Sequence, residues 1–97
     1  MRQIDMFVEA EDRRLLAGVK SVGFQFVVSR LPSTPWLTPA DVATALPGNP
    51  KTDTVYRWID SGAFEYIDIG SGRSGKRRCM IERGSFLRFL KGRINRI

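Results

Sequence analysis

The sequence predicts a small α+β domain in the order helix, tight turn, helix, β-hairpin, helix, preceded by an N-terminal arm of helix and strand. Three observations predict it. Thr38-Pro39-Ala40-Asp41 is a helix start, and a second start follows at Asn49-Pro50-Lys51-Thr52-Asp53. Two strand-like segments flank a Gly/Ser-rich loop at residues 70–75. Phe86, Leu87, Phe89, Leu90 and Ile94 then recur at helical spacing. The chain has 97 residues, enough for one such domain, and its 42% hydrophobic content allows a modest core.

Residues 1–31 form the arm. Asp5 is placed to cap a helix running to about residue 17, with Phe7, Val8, Leu15, Leu16 and Val19 on its apolar side and Gly18 near its end. Phe24, Phe26 and Val28 alternate with Gln25, Val27 and Ser29, the pattern of a half-buried strand. Such an arm either covers the core of the main module or pairs with a second copy of the chain. Leu31-Pro32-Ser33-Thr34-Pro35 is a stiff connector that divides it from the module at residues 32–97.

In the module, Thr38 is a cap, Pro39 occupies the first helical position and Asp41 stands three residues after the cap. Ala40, Val42, Ala43 and Leu46 follow, and Pro47-Gly48 stops the helix. The next helix is Thr54–Ser61, capped by Asn49 or Thr52 and ended by Gly62. Phe64–Ile69 and Arg78–Ile81 read as the two strands of a hairpin around the loop. A closing helix starts near Arg83 or Ser85. This order is that of a winged helix-turn-helix.

The formal net charge is +6, and its distribution is uneven. Residues 1–72 hold seven Lys/Arg and nine Asp/Glu, a net of −2, while residues 73–97 hold nine Lys/Arg and only Glu82, a net of +8. A basic pole beside a near-neutral body suits a polyanionic partner; a solvated basic tail is the plainer reading. The single cysteine, Cys79, excludes an internal disulfide, and with no histidine in the chain a metal site is not expected. The usual general base is missing, Ser61, Ser71, Ser74 and Ser85 have no activating partner, and the carboxylates are scattered. An enzyme is therefore not expected, nor a cofactor. No segment approaches the roughly 20 apolar residues of a membrane span. Met1–Asp5 lacks the apolar core of a signal peptide, so the expectation is a cytoplasmic protein.

Two short helices joined by a tight turn set the second across the first, which braces it for entry into a DNA major groove. Val55, Trp58 and Ile59 share one helical face and are expected inside. Asp53, Arg57 and Asp60 centre the opposite face, with Tyr56 on its flank and Thr52 and Thr54 near the helix start. Candidate DNA contacts on this helix are therefore Thr52, Asp53, Thr54, Tyr56 and Arg57. Arg57 is suited to a two-pronged bond to guanine or to a phosphate clamp; its plainer role is an ion pair with Asp53 or Asp60. The second candidate set is the hairpin loop, or wing: Arg73, Ser74, Lys76, Arg77 and Arg78, on a turn whose glycines permit close backbone approach. The loop lacks the GxxxxGK[ST] pattern, so nucleotide binding is not expected. Arg88, Lys91, Arg93 and Arg96 on the closing helix are expected to face solvent and the helix dipole.

Trp36-Leu37-Thr38-Pro39-Ala40-Asp41-Val42-Ala43, Thr54-Val55-Tyr56-Arg57-Trp58-Ile59 and Glu82-Arg83-Gly84-Ser85-Phe86-Leu87 together resemble the excisionase-like DNA-binding domains, relatives of the MerR-type winged helix. The resemblance covers roughly residues 36–92 and leaves the arm outside. The turn between Leu46 and Thr54 is longer than in that family. The resemblance implies sequence-specific binding of double-stranded DNA, by a homodimer or by copies side by side. It also implies a phage or mobile-element role: an excisionase partnering an integrase, a small transcriptional regulator, or terminase small-subunit-like DNA recognition. A reading of another class is a winged-helix protein-interaction module that docks on an acidic partner, supported by Asp53 and Asp60 near the reading helix.

Overall fold

Five helices and one three-stranded antiparallel sheet make up the residues described in a computed structural model, 10–48, 50–71 and 77–96. Expectations at Asp5, Phe7, Val8 and Asn49 lie outside the described residues. Helix α1 (Ala10–Val22) runs past Gly18, the expected stop. Val19, directly after that glycine, is fully buried, and its burial holds the segment helical. The helix ends instead at Gly23, whose φ of +99° suits a residue without a Cβ.

Residues 24–29 are a helix and not the expected strand: α2 spans Phe24–Arg30. The alternation of Phe24, Phe26 and Val28 conceals a second periodicity, because Phe24, Val27 and Leu31 are spaced i, i+3, i+7. Val27 is fully buried and Leu31 nearly so, whereas Phe26 is exposed with the Arg30 guanidinium over its ring at 5.3 Å. Burial of the helical face overrides the strand preference of Phe and Val. Arg30 also donates to the Thr44 carbonyl at 2.9 Å, tying α2 to the end of the next helix.

The connector leads into a short strand that the residue pattern did not predict, β1 (Trp36–Leu37). Helix α3 (Pro39–Ala45) starts as expected. Thr38 Oγ1 accepts from the Asp41 amide at 3.0 Å, and an Asp41 carboxylate oxygen accepts from the Thr38 amide at 3.0 Å. Helix α4 (Thr52–Asp60) follows and starts earlier than expected: Thr52 is its first helical residue and not its cap, which is Lys51, without a side-chain bond. Its end is a Schellman turn: the Gly62 amide donates to Ile59 at 3.0 Å and the Ala63 amide to Trp58 at 3.1 Å, with Gly62 at φ +79°.

Strands β2 (Tyr66–Ser71) and β3 (Arg77–Glu82) form the hairpin, and the sheet order is β1-β3-β2. Leu37 and Ile81 are paired and both fully buried, so that face of the sheet lies on the core. Cys79 shares it and is buried. Helix α5 (Arg83–Ile94) is capped by Glu82, which accepts from the Ser85 amide at 2.7 Å and the Gly84 amide at 3.1 Å. Two bonds brace this junction: the Arg83 amide to the Pro35 carbonyl and Arg83 Nε to the Pro32 carbonyl.

One hydrophobic cluster joins all five helices. Leu15, Leu16 and Val19 of α1 and Val27 of α2 belong to the same cluster as Val42, Val55, Ile59, Ile81, Phe86 and Leu90. The arm therefore covers the module's core within one chain. An aromatic layer closes one side: Phe64 meets Phe86 edge-on at 5.5 Å and Phe89 at 5.2 Å, and Trp58 meets Phe89 at 5.4 Å. The radius of gyration is 13.2 Å, that of a single packed body of this length. Among the described residues no helix is long and apolar enough to cross a membrane.

Two stability outcomes follow from this packing. Phe86→Ala, a cavity at a fully buried ring, is expected to cost about 3–5 kcal/mol, and Thr38→Ala, loss of one cap, about 1 kcal/mol. Urea unfolding of each variant measures both, and equal costs would contradict the placement of Phe86 at the centre of the core.

Candidate nucleic-acid interface

Helix α4 is strongly two-sided. Val55, Trp58 and Ile59 are buried, as their spacing predicts, while Thr52, Asp53 and Asp60 are exposed and Tyr56 and Arg57 are half-buried. Thr54 departs from its expected place. It is buried, turned into the core beside Val55, and lies off the outward surface.

Arg57 is held by a partner that its own helix does not supply. Its two terminal nitrogens donate to the two oxygens of Asp12 on α1, each at 2.9 Å. The Trp58 indole N–H reaches one of the same oxygens at 3.3 Å. The Asp12 side chain is 5% exposed and that of Arg57 30%. A carboxylate this deeply buried needs such compensation, and the guanidinium fork fits it in the plane. Arg57 thus forms an ion pair across the fold with α1.

Asp12 was not singled out by residue pattern, though a signal was present. Asp12, Leu15, Leu16 and Val19 fall at i, i+3, i+4 and i+7, which sets a carboxylate on the apolar stripe of α1. A charge on such a stripe demands a buried partner. Trp58, on the inner face of α4, equally needs an acceptor for its N–H.

Two hollows flank the outward side of α4. One, of about 440 Å³, is open and lined by Asp53, Tyr56, Arg57, Asp60 and Ser61. This hollow sets two exposed carboxylates, Asp53 and Asp60, beside the Arg57 guanidinium. The other is a groove of about 250 Å³ between the starts of α3 and α4 and the hairpin. Thr52 and Tyr56 line it on the α4 side, Thr38 and Ala40 on the α3 side, and Ile69, Arg78 and Met80 on the hairpin side. Of the wing candidates, Arg78 is exposed and stands in this groove. Arg77 opens β3 opposite Ser71, and its side chain lies outside the described residues, as do Arg73, Ser74 and Lys76.

The hairpin changes direction before its tip. The pairing of β2 and β3 shifts register between Asp68 and Ser71, and Gly70 sits there at φ +86° with its amide donating to Asp68 Oδ1 at 2.9 Å. Along β3, Arg78 and Met80 fall on the face opposite Cys79 and Ile81, and Ile67 pairs with Met80. That face is part apolar, with Ile67, Ile69 and Trp36 exposed.

Several cations are absorbed by packing. Arg83 bonds the Pro32 carbonyl, and the Arg93 guanidinium lies 5.6 Å from the Phe89 ring centre. Arg88 and Lys91 on α5 and Arg96 beyond its end are exposed, as expected, with Arg88 near Glu82 at 3.8 Å. No group of three or more potential metal ligands occurs among the described residues. Comparison of the chain with family models, curated proteins and solved structures finds no match among any of them.

The pair between Asp12 and Arg57 is asymmetric. Arg57→Ala leaves a buried carboxylate with only the indole N–H and is expected to cost about 3 kcal/mol. Asp12→Asn leaves a guanidinium near the surface and is expected to cost about 1 kcal/mol. Chemical unfolding of both variants measures the order, and a larger cost for Asp12→Asn would contradict the burial assigned to the pair.

Proposed function

We propose that the chain is a small double-stranded-DNA-binding protein of the winged helix-turn-helix type and not an enzyme. In this reading α3 braces α4, the start of α4 enters the major groove, and the β2–β3 hairpin is the wing. The observation that carries the reading is the groove shared by Thr52 and Tyr56 of α4 with Arg78 of β3. Two hydroxyls and a guanidinium around one groove suit the oxygens of a sugar-phosphate backbone passing between helix and wing. The basic surplus after residue 72 supports the same partner, because cations that neutralise phosphates release counterions. Thr52 and Tyr56 are then the helix contacts, with Asp53 set apart in the open hollow beside Asp60, and Arg73, Ser74, Lys76, Arg77 and Arg78 the wing contacts. The resemblance to excisionase-like domains adds the biological frame: a cytoplasmic accessory or regulatory protein of a phage or mobile element. It acts as a homodimer or as copies side by side, in excision with an integrase, in transcription or in packaging.

The carboxylates of Asp53 and Asp60 in the open hollow favour a second reading, a winged-helix module that binds another protein. Carboxylates at that hollow disfavour phosphate, whereas a protein partner can dock without it. The two readings separate on one titration. If four to eight phosphates are neutralised, affinity for a duplex falls with salt at a log–log slope of roughly −4 to −7. Fluorescence anisotropy on genomic fragments at several salt concentrations measures it. Arg78→Ala is expected to weaken all sequences alike and to flatten the slope by about 0.9. Duplex affinity indifferent to salt sinks the DNA reading and leaves the protein-binding one.

A further inference from the structure

Asp12 has no part in the DNA contacts proposed above, yet it is the only charged residue among the described ones that is buried. Its two oxygens fill the fork of Arg57 in the two-pronged geometry that a phosphate or a guanine edge would otherwise use. The Trp58 indole fixes the same carboxylate from a second direction. We propose that Asp12 is a positioning residue that silences Arg57. The central cation of α4 is held by α1 and adds no net charge toward DNA, so discrimination between sequences passes to the start of α4 and to the hairpin. This rests on the DNA reading of the preceding subsection.

Two physical points carry it. Swinging Arg57 outward to meet a phosphate would strand the Asp12 carboxylate in the core, and a charge without its counterion there is unfavourable. The approach is also lined by Asp53 and Asp60, which share the open hollow with Arg57. A phosphate arriving at mid-helix therefore meets a guanidinium already engaged by Asp12. At the groove by Thr52 and Arg78 no carboxylate is among the lining residues.

The test uses the full chain, a fluorescent duplex and anisotropy across a salt series, with folding checked by circular dichroism. Asp12→Asn keeps the shape and an acceptor oxygen but drops the negative charge. It is expected to tighten duplex binding about threefold or more and to steepen the salt slope by about 0.9. A folded Asp12→Asn variant with the parental slope overturns the proposal. The paired variant Asp12→Asn with Arg57→Gln removes both charges and is expected to keep the parental slope. A slope flatter by about 0.9 means that Arg57 touches phosphate, and overturns it too. In the parent protein the Arg57 Nε–H resonance is expected to stay in place when duplex is added, and a shift at saturation overturns the proposal without any variant. Failure of the DNA reading is distinct, since the parent then loses its salt dependence before any variant is compared.

Discussion

The contact on which the rest depends is the buried carboxylate of Asp12, held by the Arg57 fork and the Trp58 indole. It is one of the few polar contacts in an interior made of apolar side chains, and its cost when mispaired gives it authority over geometry. Apolar packing alone is tolerant of small shifts. A bidentate ion pair is not, so it fixes the rotation of α4 about its axis relative to α1. That rotation decides which residues of α4 face outward. It places Thr52, Asp53, Tyr56 and Asp60 on the surface side and commits Thr54, Val55, Trp58 and Ile59 to the core.

The same pair reshapes the charge map. Composition gives the chain a surplus of cations, but several are occupied inside the fold by a carboxylate, a carbonyl or an aromatic ring. What remains outward on α4 is divided between two hollows: one lined by the carboxylates of Asp53 and Asp60, the other by the hydroxyls of Thr52 and Tyr56 with Arg78 beside them. In the proposed reading a polyanion takes the groove by Thr52 and Arg78 and is disfavoured at the hollow by Asp53 and Asp60. Sequence reading placed the contacts on Arg57 and the first turn of α4; the pairing of Arg57 with Asp12 leaves the first turn to carry the proposed contact.

Much of the module was legible in the residues. The capping box at Thr38 and Asp41, the stop at Gly62, the hairpin and the apolar stripe of the closing helix all use local signals, and all appear where those signals lie. The failures are tertiary. Phe24–Ser29 carries two periodicities at once, and only the neighbours of Val27 choose the helical one. Strand β1 has two residues and exists because β3 offers it an edge. Thr54 looked like a surface residue because threonine is equally at home on either side. The partner of Arg57 lies 45 residues away, beyond the reach of helical spacing rules. The wing candidates Arg73, Ser74 and Lys76 rest on the resemblance and on local composition alone.

The most direct measurement is a titration of the isotopically labelled protein with a duplex, followed by backbone amide shifts. The account predicts that the largest shifts cluster on Thr52, Tyr56, Ile69 and Arg78, with Asp60 and Ser61 little moved. Shifts centred on Asp53, Arg57 and Asp60, or confined to the cations of α5, would contradict it.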